Sequence, residues 1–167
     1  MQFPSNRGIA RAVVLLAAAL SITACKSTGD TRPTEVDSKI YDVKHLHQAF
    51  VAKGIKAEAE ADKVVARYED MGVVVLSVPL PDSGLIRMYT VWLKDPEVEL
   101  TVEWLFKVNL QNRDGIIKVY LDEDDDVITE WYAEVHAGLS ADAVVESARI
   151  FAMRSYSVAR AIADFLK

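Results

Sequence analysis

The chain has a single cysteine, Cys25, and it stands at the end of a short apolar run rather than within the body of the sequence. One thiol closes no intrachain disulfide and cannot supply a zinc site built on several thiolates. Whatever follows residue 25 must therefore be held together by a hydrophobic core. The composition provides for one: 51% of the 167 residues are hydrophobic and 26% charged, the balance of a globular chain rather than a disordered one. The length fits one domain with a tail.

The residues before Cys25 read as an address. Met1–Ala24 holds no acidic residue, and its only charges, Arg7 and Arg11, precede an apolar run of 13 residues, Ala12–Ala24. A spanning helix needs about 20 apolar residues, whereas the core of an export signal needs about 7–15. The exit, Ile22-Thr23-Ala24-Cys25, resembles a bacterial lipobox. That resemblance implies that Met1–Ala24 is a lipoprotein signal peptide and that Cys25 is lipidated and becomes the mature N-terminus. Several acyl chains hold a protein to a membrane where one is marginal. Lys26 stands where an Asp favours inner-membrane retention in enterobacterial lipoproteins, so the resemblance leans towards the outer membrane, facing the periplasm. Without Met1–Ala24 the chain keeps 143 residues with 17 basic and 25 acidic side chains, a net of −8. Such an acidic surface argues against nucleic acid as a partner.

Lys26–Val36 is polar, contains Gly29 and Pro33 and has no apolar period, so residues 25–37 form the lipidated cysteine and a flexible tether, and residues 38–167 the folded part. Asp37 or Ser38 caps a first helix running to about Lys53, with Ile40, Val43, Leu46, Phe50 and Val51 as its stripe and Gly54 at its end. Ile55–Ala61 alternates weakly, and its Ala and Glu content suits a helix as well. Val64–Glu69, Val73–Val78 and Leu85–Leu93 are strands, with Pro79–Gly84 a turn. A second helix starts at Asp95-Pro96 or at Thr101, with Val102, Leu105, Phe106 and Asn109 on one face. Strands Ile116–Leu121 and Val127–His136 are joined by the hairpin Asp122–Asp126. A last helix, capped by Ser140 and continuing to Lys167, carries Val144, Ala148, Phe151, Val158, Ile162 and Phe165. Phe151 and Trp131 are predicted to be buried. The apolar residues beyond Ser157 either fold back over the first helix or meet a second copy, and a homodimer is the expected assembly. The pattern is α+β: an antiparallel sheet of about five strands packed against helices, in the order α-β-β-β-α-β-β-α.

The stretches Leu85-Ile-Arg-Met-Tyr-Thr-Val-Trp92, Asn109-Leu-Gln-Asn112-Arg113, Lys118-Val-Tyr-Leu-Asp-Glu-Asp124 and Gly138-Leu-Ser-Ala-Asp142 together resemble a YbjN-type domain, over about Lys39–Lys167. The hairpin tip of that family commonly reads D-E-x-G-D, whereas here it is acidic throughout. The family is described as candidate bacterial sensory transduction regulators. Its fold is similar to the class I chaperones of type III secretion. The resemblance implies a binding or regulatory module without catalytic residues or cofactor, working through a protein partner and self-associating.

The titratable clusters give weaker signals. His45 and His47 are two apart on a helix, about 200° around it, and cannot chelate one metal. Asp122, Asp124 and Asp126 begin like a calcium loop, but the next residue is Val127 and the twelfth Ala133, where Gly and Glu are needed, so the hairpin is expected to be a solvated tip. On the last strand Ile128, Glu130, Tyr132, Glu134 and His136 share a face expected to be solvated. Those polar residues are the candidate binding surface. Glu130, Glu134 and His136 would be the acid–base or metal set of a hydrolase, the alternative to a non-catalytic lipid-anchored module. A purely structural envelope lipoprotein is the third reading. Nucleophile-elbow, zincin and phosphate-loop motifs are absent.

Overall fold

A computed structural model of the protein describes residues 42–77, 84–113, 115–136 and 138–167. The residues expected to be a signal peptide, Cys25, the expected tether and most of the expected Pro79–Gly84 turn lie outside them. The described elements run α1 (Val43–Ala52), β1 (Lys56–Ala59), β2 (Lys63–Tyr68), β3 (Gly72–Ser77), β4 (Leu85–Trp92), α2 (Val102–Leu110), β5 (Lys118–Leu121), β6 (Val127–Glu134) and α3 (Ala141–Ala161), followed by a 3-10 turn at Ala163–Phe165.

The six strands form one antiparallel sheet in the order β1-β2-β3-β4-β6-β5. The expected α+β class and the sequence of helices and strands hold, with one strand more than expected. Lys56–Ala59, which suited a helix as well by composition, pairs with β2 from Lys56↔Arg67 to Ala59↔Val64. A short ladder overrode weak propensity there. The chain meanders from β1 to β4, crosses through α2 to the far edge, and returns as β6 between β5 and β4.

One sheet face and the helices make the core. Val64, Ala66, Val74, Leu76, Ile86, Met88, Val119 and Val127 point to it from the strands. Leu46 and Phe50 of α1, Trp104 and Val108 of α2, and Val144, Ala148, Phe151 and Ile162 at the C-terminal end meet them. Phe151 is fully buried as expected, while Trp131 is only partly so. Trp92 and Thr129 face the same way and hold Ser155 of α3: the Trp92 indole N–H donates to Ser155 Oγ at 2.9 Å, and Thr129 Oγ1 lies 2.6 Å from it. These three side chains, Thr129 and Ser155 buried and Trp92 partly so, fix α3 over β4 and β6, since each polar atom would cost more unpaired than it gains paired. Gly72 opens β3 with φ +90°, and a Cβ there would stand 2.9 Å from the Trp92 ring. The turn therefore needs glycine for backbone and for space.

Local signals set most helix ends, with corrections. The cap of α1 is Asp42, whose carboxylate accepts from the N–H groups of Lys44 and His45, not Asp37 or Ser38. Val51, placed on the stripe, is exposed. Thr101, not Asp95, caps α2, and Asp95 instead accepts from the N–H of Glu97 in a preceding turn. Ser140 caps α3 as expected, but the helix stops at Ala161. Beyond it Phe165 packs edge-on against Trp104, ring centres 5.7 Å apart, and the main chain of Asp95 and Lys167 bonds to Phe165 and Leu93. The apolar C-terminal end is thus folded back against α2 and the chain after β4. Ile162 is buried and Phe165 folds back onto α2, not over the first helix as expected.

Candidate functional site

On α2 the sequence pattern is ambiguous, because two apolar faces compete. Trp104 and Val108 lie about 100° of helix from Leu105 and on the far side from Val102 and Phe106. The structure buries the former pair. The face expected from the sequence is the one in solvent: Val102 is 83% exposed, Phe106 64% and Leu105 44%, and Leu110 beside them is 42% exposed. The physical reason is size and partner. Trp104 fills the space between the sheet and the Phe165 ring, and turning the helix would empty it. Outward, Val102, Leu105, Phe106 and Asn109 span about 100° of arc, with Glu103 beyond Phe106; its partner Lys107, at 3.2 Å, is turned further round and stands 4.9 Å over the Phe165 ring. Monomeric proteins seldom leave such a run of large apolar side chains in water.

Just after α2 sits a second device. The Asn112 carboxamide accepts from the N–H of Val119 and donates to its carbonyl, both at 2.8 Å. A side chain here imitates a neighbouring strand on edge strand β5, closing main-chain groups that would otherwise template another chain. Asn112 belongs to the Asn-Leu-Gln-Asn-Arg stretch singled out in the sequence, which gave no hint of this role.

The opposite face of the sheet carries the candidate binding residues, and it is not simply solvated. Glu130 is only 3% exposed, and Ile128 beside it is buried too. Register sets Tyr89 opposite Glu130 on β4 and Lys118 opposite it on β5. From the next pair along, Arg87 reaches across: its Nε donates to Glu130 Oε1, and the Tyr132 hydroxyl donates to the same oxygen at 3.0 Å. Lys118 Nζ stands 3.7 Å from Oε2. The Arg87 guanidinium lies 4.4 Å over the Tyr89 ring and also donates to the Tyr120 hydroxyl at 3.4 Å. Burial alone would raise the Glu130 carboxyl. The hydrogen bonds from Arg87 and Tyr132 and the charges of Arg87 and Lys118 outweigh it and hold the carboxyl below its ordinary value. Burial and the bond to Glu130 push the Tyr132 hydroxyl up. Glu130 is therefore ionised and fully engaged, held as an anion rather than poised to take up a proton.

Glu134 and His136, its proposed partners, stand at the surface where β6 ends, and His136 lies past the strand, so the extended spacing assumed for the pair does not apply to it. In the acidic hairpin Asp122 accepts from the N–H groups of Asp124 and Asp126, while Asp126 accepts from that of Lys94. Asp125 adopts φ +64°, taking the left-handed position that glycine commonly fills in the family resembled. Those carboxylates are turned to main-chain donors. Among the described residues no group of three or more His, Cys, Asp or Glu side chains is gathered for a metal. His47 binds the Ala57 carbonyl at 3.0 Å and helps fasten α1 to β1.

No family model matches the chain, and no curated protein matches it in sequence. Among solved structures it is similar to E. coli YbjN, described as a candidate transcription regulator, with a TM-score of 0.61 at 12% identity over 80% of this chain and 99% of that one. The fold is YbjN-like. An uncharacterised protein from Methanothermobacter thermautotrophicus is similar too, with a TM-score of 0.55 at 17% identity over 72% of this chain and 96% of that one. At such identities the likeness concerns architecture and carries no residue roles.

Proposed function

We propose that this chain is a lipid-anchored cell-envelope module that works by protein–protein contact, without a reaction of its own, and that the outward face of α2 is its contact surface. The observation that carries the reading is the bare row Val102, Leu105, Phe106 and Leu110. Two further points support it. The lipobox-like Ile22–Cys25 stands ahead of a polar stretch that would serve as a tether between an anchor and the domain. The carboxylate that a hydrolase would need, Glu130, is locked to Arg87 and Tyr132. Lys26 after the cysteine favours the outer membrane, with the domain facing the periplasm.

The test is a photo-crosslinking amino acid placed at Phe106 in the full chain inside cells, with a control at exposed Lys56. A protein adduct formed at 106 and not at 56 is the expected result. Equal or absent adducts at both positions overturn the reading.

A further inference from the structure

Resting on the lipid-anchored reading, we propose that the outward face of α3 around Arg154 docks on the surface of a bilayer that contains acidic phospholipid. That face is an exception in charge. The chain is acidic, with 25 Asp and Glu against 19 Lys and Arg, yet residues 147–163 hold Arg149, Arg154 and Arg160 and no carboxylate. Among the described residues only Arg149 of the three is in an ion pair, with Glu146 at 3.1 Å; Arg154 and Arg160 are exposed. The face is an exception in polarity too. Ile150, Met153, Arg154 and Ser157 occupy the arc of the helix opposite the buried Ala148, Ala152 and Ser155. A solvated helix carries polar residues on that arc, but here Ile150 is 45% exposed and Met153 47%. Ile116, exposed as well, lines with Arg154 a hollow of about 100 Å³ between α3 and residues 115–117. Arg154 and Ser157 line a second, of about 200 Å³.

The interleaving of charge and apolar side chains selects the occupant. A protein interface gathers its apolar residues at the centre and sends charge to the rim, as the row on α2 would allow. On α3 the free arginine stands between the apolar side chains. That order suits a bilayer surface, where guanidinium groups meet lipid phosphates and Ile150, Met153 and Ile116 enter the layer just below them. Each free arginine near an anionic surface favours docking only about fivefold. An anchor at Cys25 makes the docking intramolecular, so weak attraction is enough.

The experiment uses the full chain, purified from membranes and reconstituted into vesicles of phosphatidylcholine alone or of equal parts phosphatidylcholine and phosphatidylglycerol. A fluorophore on Ser157→Cys is quenched by nitroxide-bearing acyl chains when the face is docked. Lys56→Cys, on the sheet face away from the helices, is the control. Lipidated Cys25 has no free thiol, so the new cysteine alone takes the label. Quenching at 157 in the acidic vesicles, and neither at 56 nor in phosphatidylcholine alone, is the expected result. The ratio of docked to free domain should fall about fivefold with Arg154→Gln and as much again with Arg160→Gln. Arg149→Gln should change it less, because Glu146 already shares that charge. Met153→Asp should abolish the quenching, with far-UV dichroism confirming that each variant is folded. Quenching at 157 that is absent, indifferent to lipid charge or unchanged when both free arginines are removed overturns the docking and leaves the anchor standing. A crosslinker at 153 that captures an acidic protein while the quenching is absent gives the face to that protein instead. A wild-type chain that itself takes up the label has a bare Cys25, and the anchor and the docking then fall together.

Discussion

Removing Arg87 tests whether the buried carboxylate is as dependent on its partner as the geometry says. Arg87→Met keeps the length of the side chain and removes one of the two donors on Glu130 Oε1, together with the nearest positive charge. Breaking a fully enclosed ion pair from one side costs about 3–5 kcal/mol. Here the Arg87 side chain is 38% exposed, and the Tyr132 hydroxyl at 3.0 Å and Lys118 at 3.7 Å remain on the carboxylate. The expected loss is accordingly about 2–3 kcal/mol, a large share of a stability of about 5–15. The pH dependence should also change sign. In the wild type the carboxyl is held below its unfolded value, so its contribution is complete above the ordinary carboxylate range and is lost as pH falls through the folded-state value. In Arg87→Met burial outweighs what is left, the folded-state value rises above the unfolded one, and the contribution of this group falls as pH rises across the carboxylate range. Urea unfolding at several pH values between about 4 and 7 measures both effects. Pairing Arg87→Met with Glu130→Met should recover stability to within about 1 kcal/mol of wild type, because no lone charge is then left. A single variant that loses under about 1 kcal/mol, with an unchanged pH slope, would refute the reasoning.

Three other outcomes follow from particular contacts. Ile162→Asp places a carboxylate at a site only 1% exposed, so loss of near-UV dichroism is expected rather than a folded monomer; a well-folded variant would mean the C-terminal end is not core. Asn112→Ala removes both bonds to Val119 and should cost about 1–3 kcal/mol, with hydrogen exchange at the Val119 amide accelerating selectively; equal acceleration along β5 would point to general loosening instead. Cys25→Ser should yield an unlipidated precursor that keeps Met1, read by mass spectrometry of the membrane fraction; a wild-type chain that itself keeps Met1 and a bare thiol would dispose of the anchor.

Much of the fold was written locally. Thr101 and Ser140 cap the helices they precede because a side-chain oxygen can reach an orphan N–H only at that spacing. Asp122–Asp126 makes a hairpin because Asp tolerates the left-handed turn position and accepts from its own main chain. The alternation of β6 correctly turned Val127 and Thr129 to the core and Glu130 and Tyr132 away from it. What alternation could not say is that the face away from the helices would be dry at its centre. That depends on Arg87 lying one pair along on β4, a consequence of register between residues 43 apart in sequence.

By itself, then, the sequence determined the class of fold, the Asp122–Asp126 hairpin and most of the caps, of which the turn and the caps rest on interactions within a few residues. Tertiary structure alone decided which face of α2 is inside. Periodicity sees both apolar faces of that helix and ranks them by count. The choice was made by volume, with Trp104 filling a space bounded by the sheet and by Phe165, 61 residues further along the chain. The same long-range choice put the C-terminal end into the core and left Val102 and Phe106 outside, so the surface available for contact is the one that a count of apolar positions assigns to the interior.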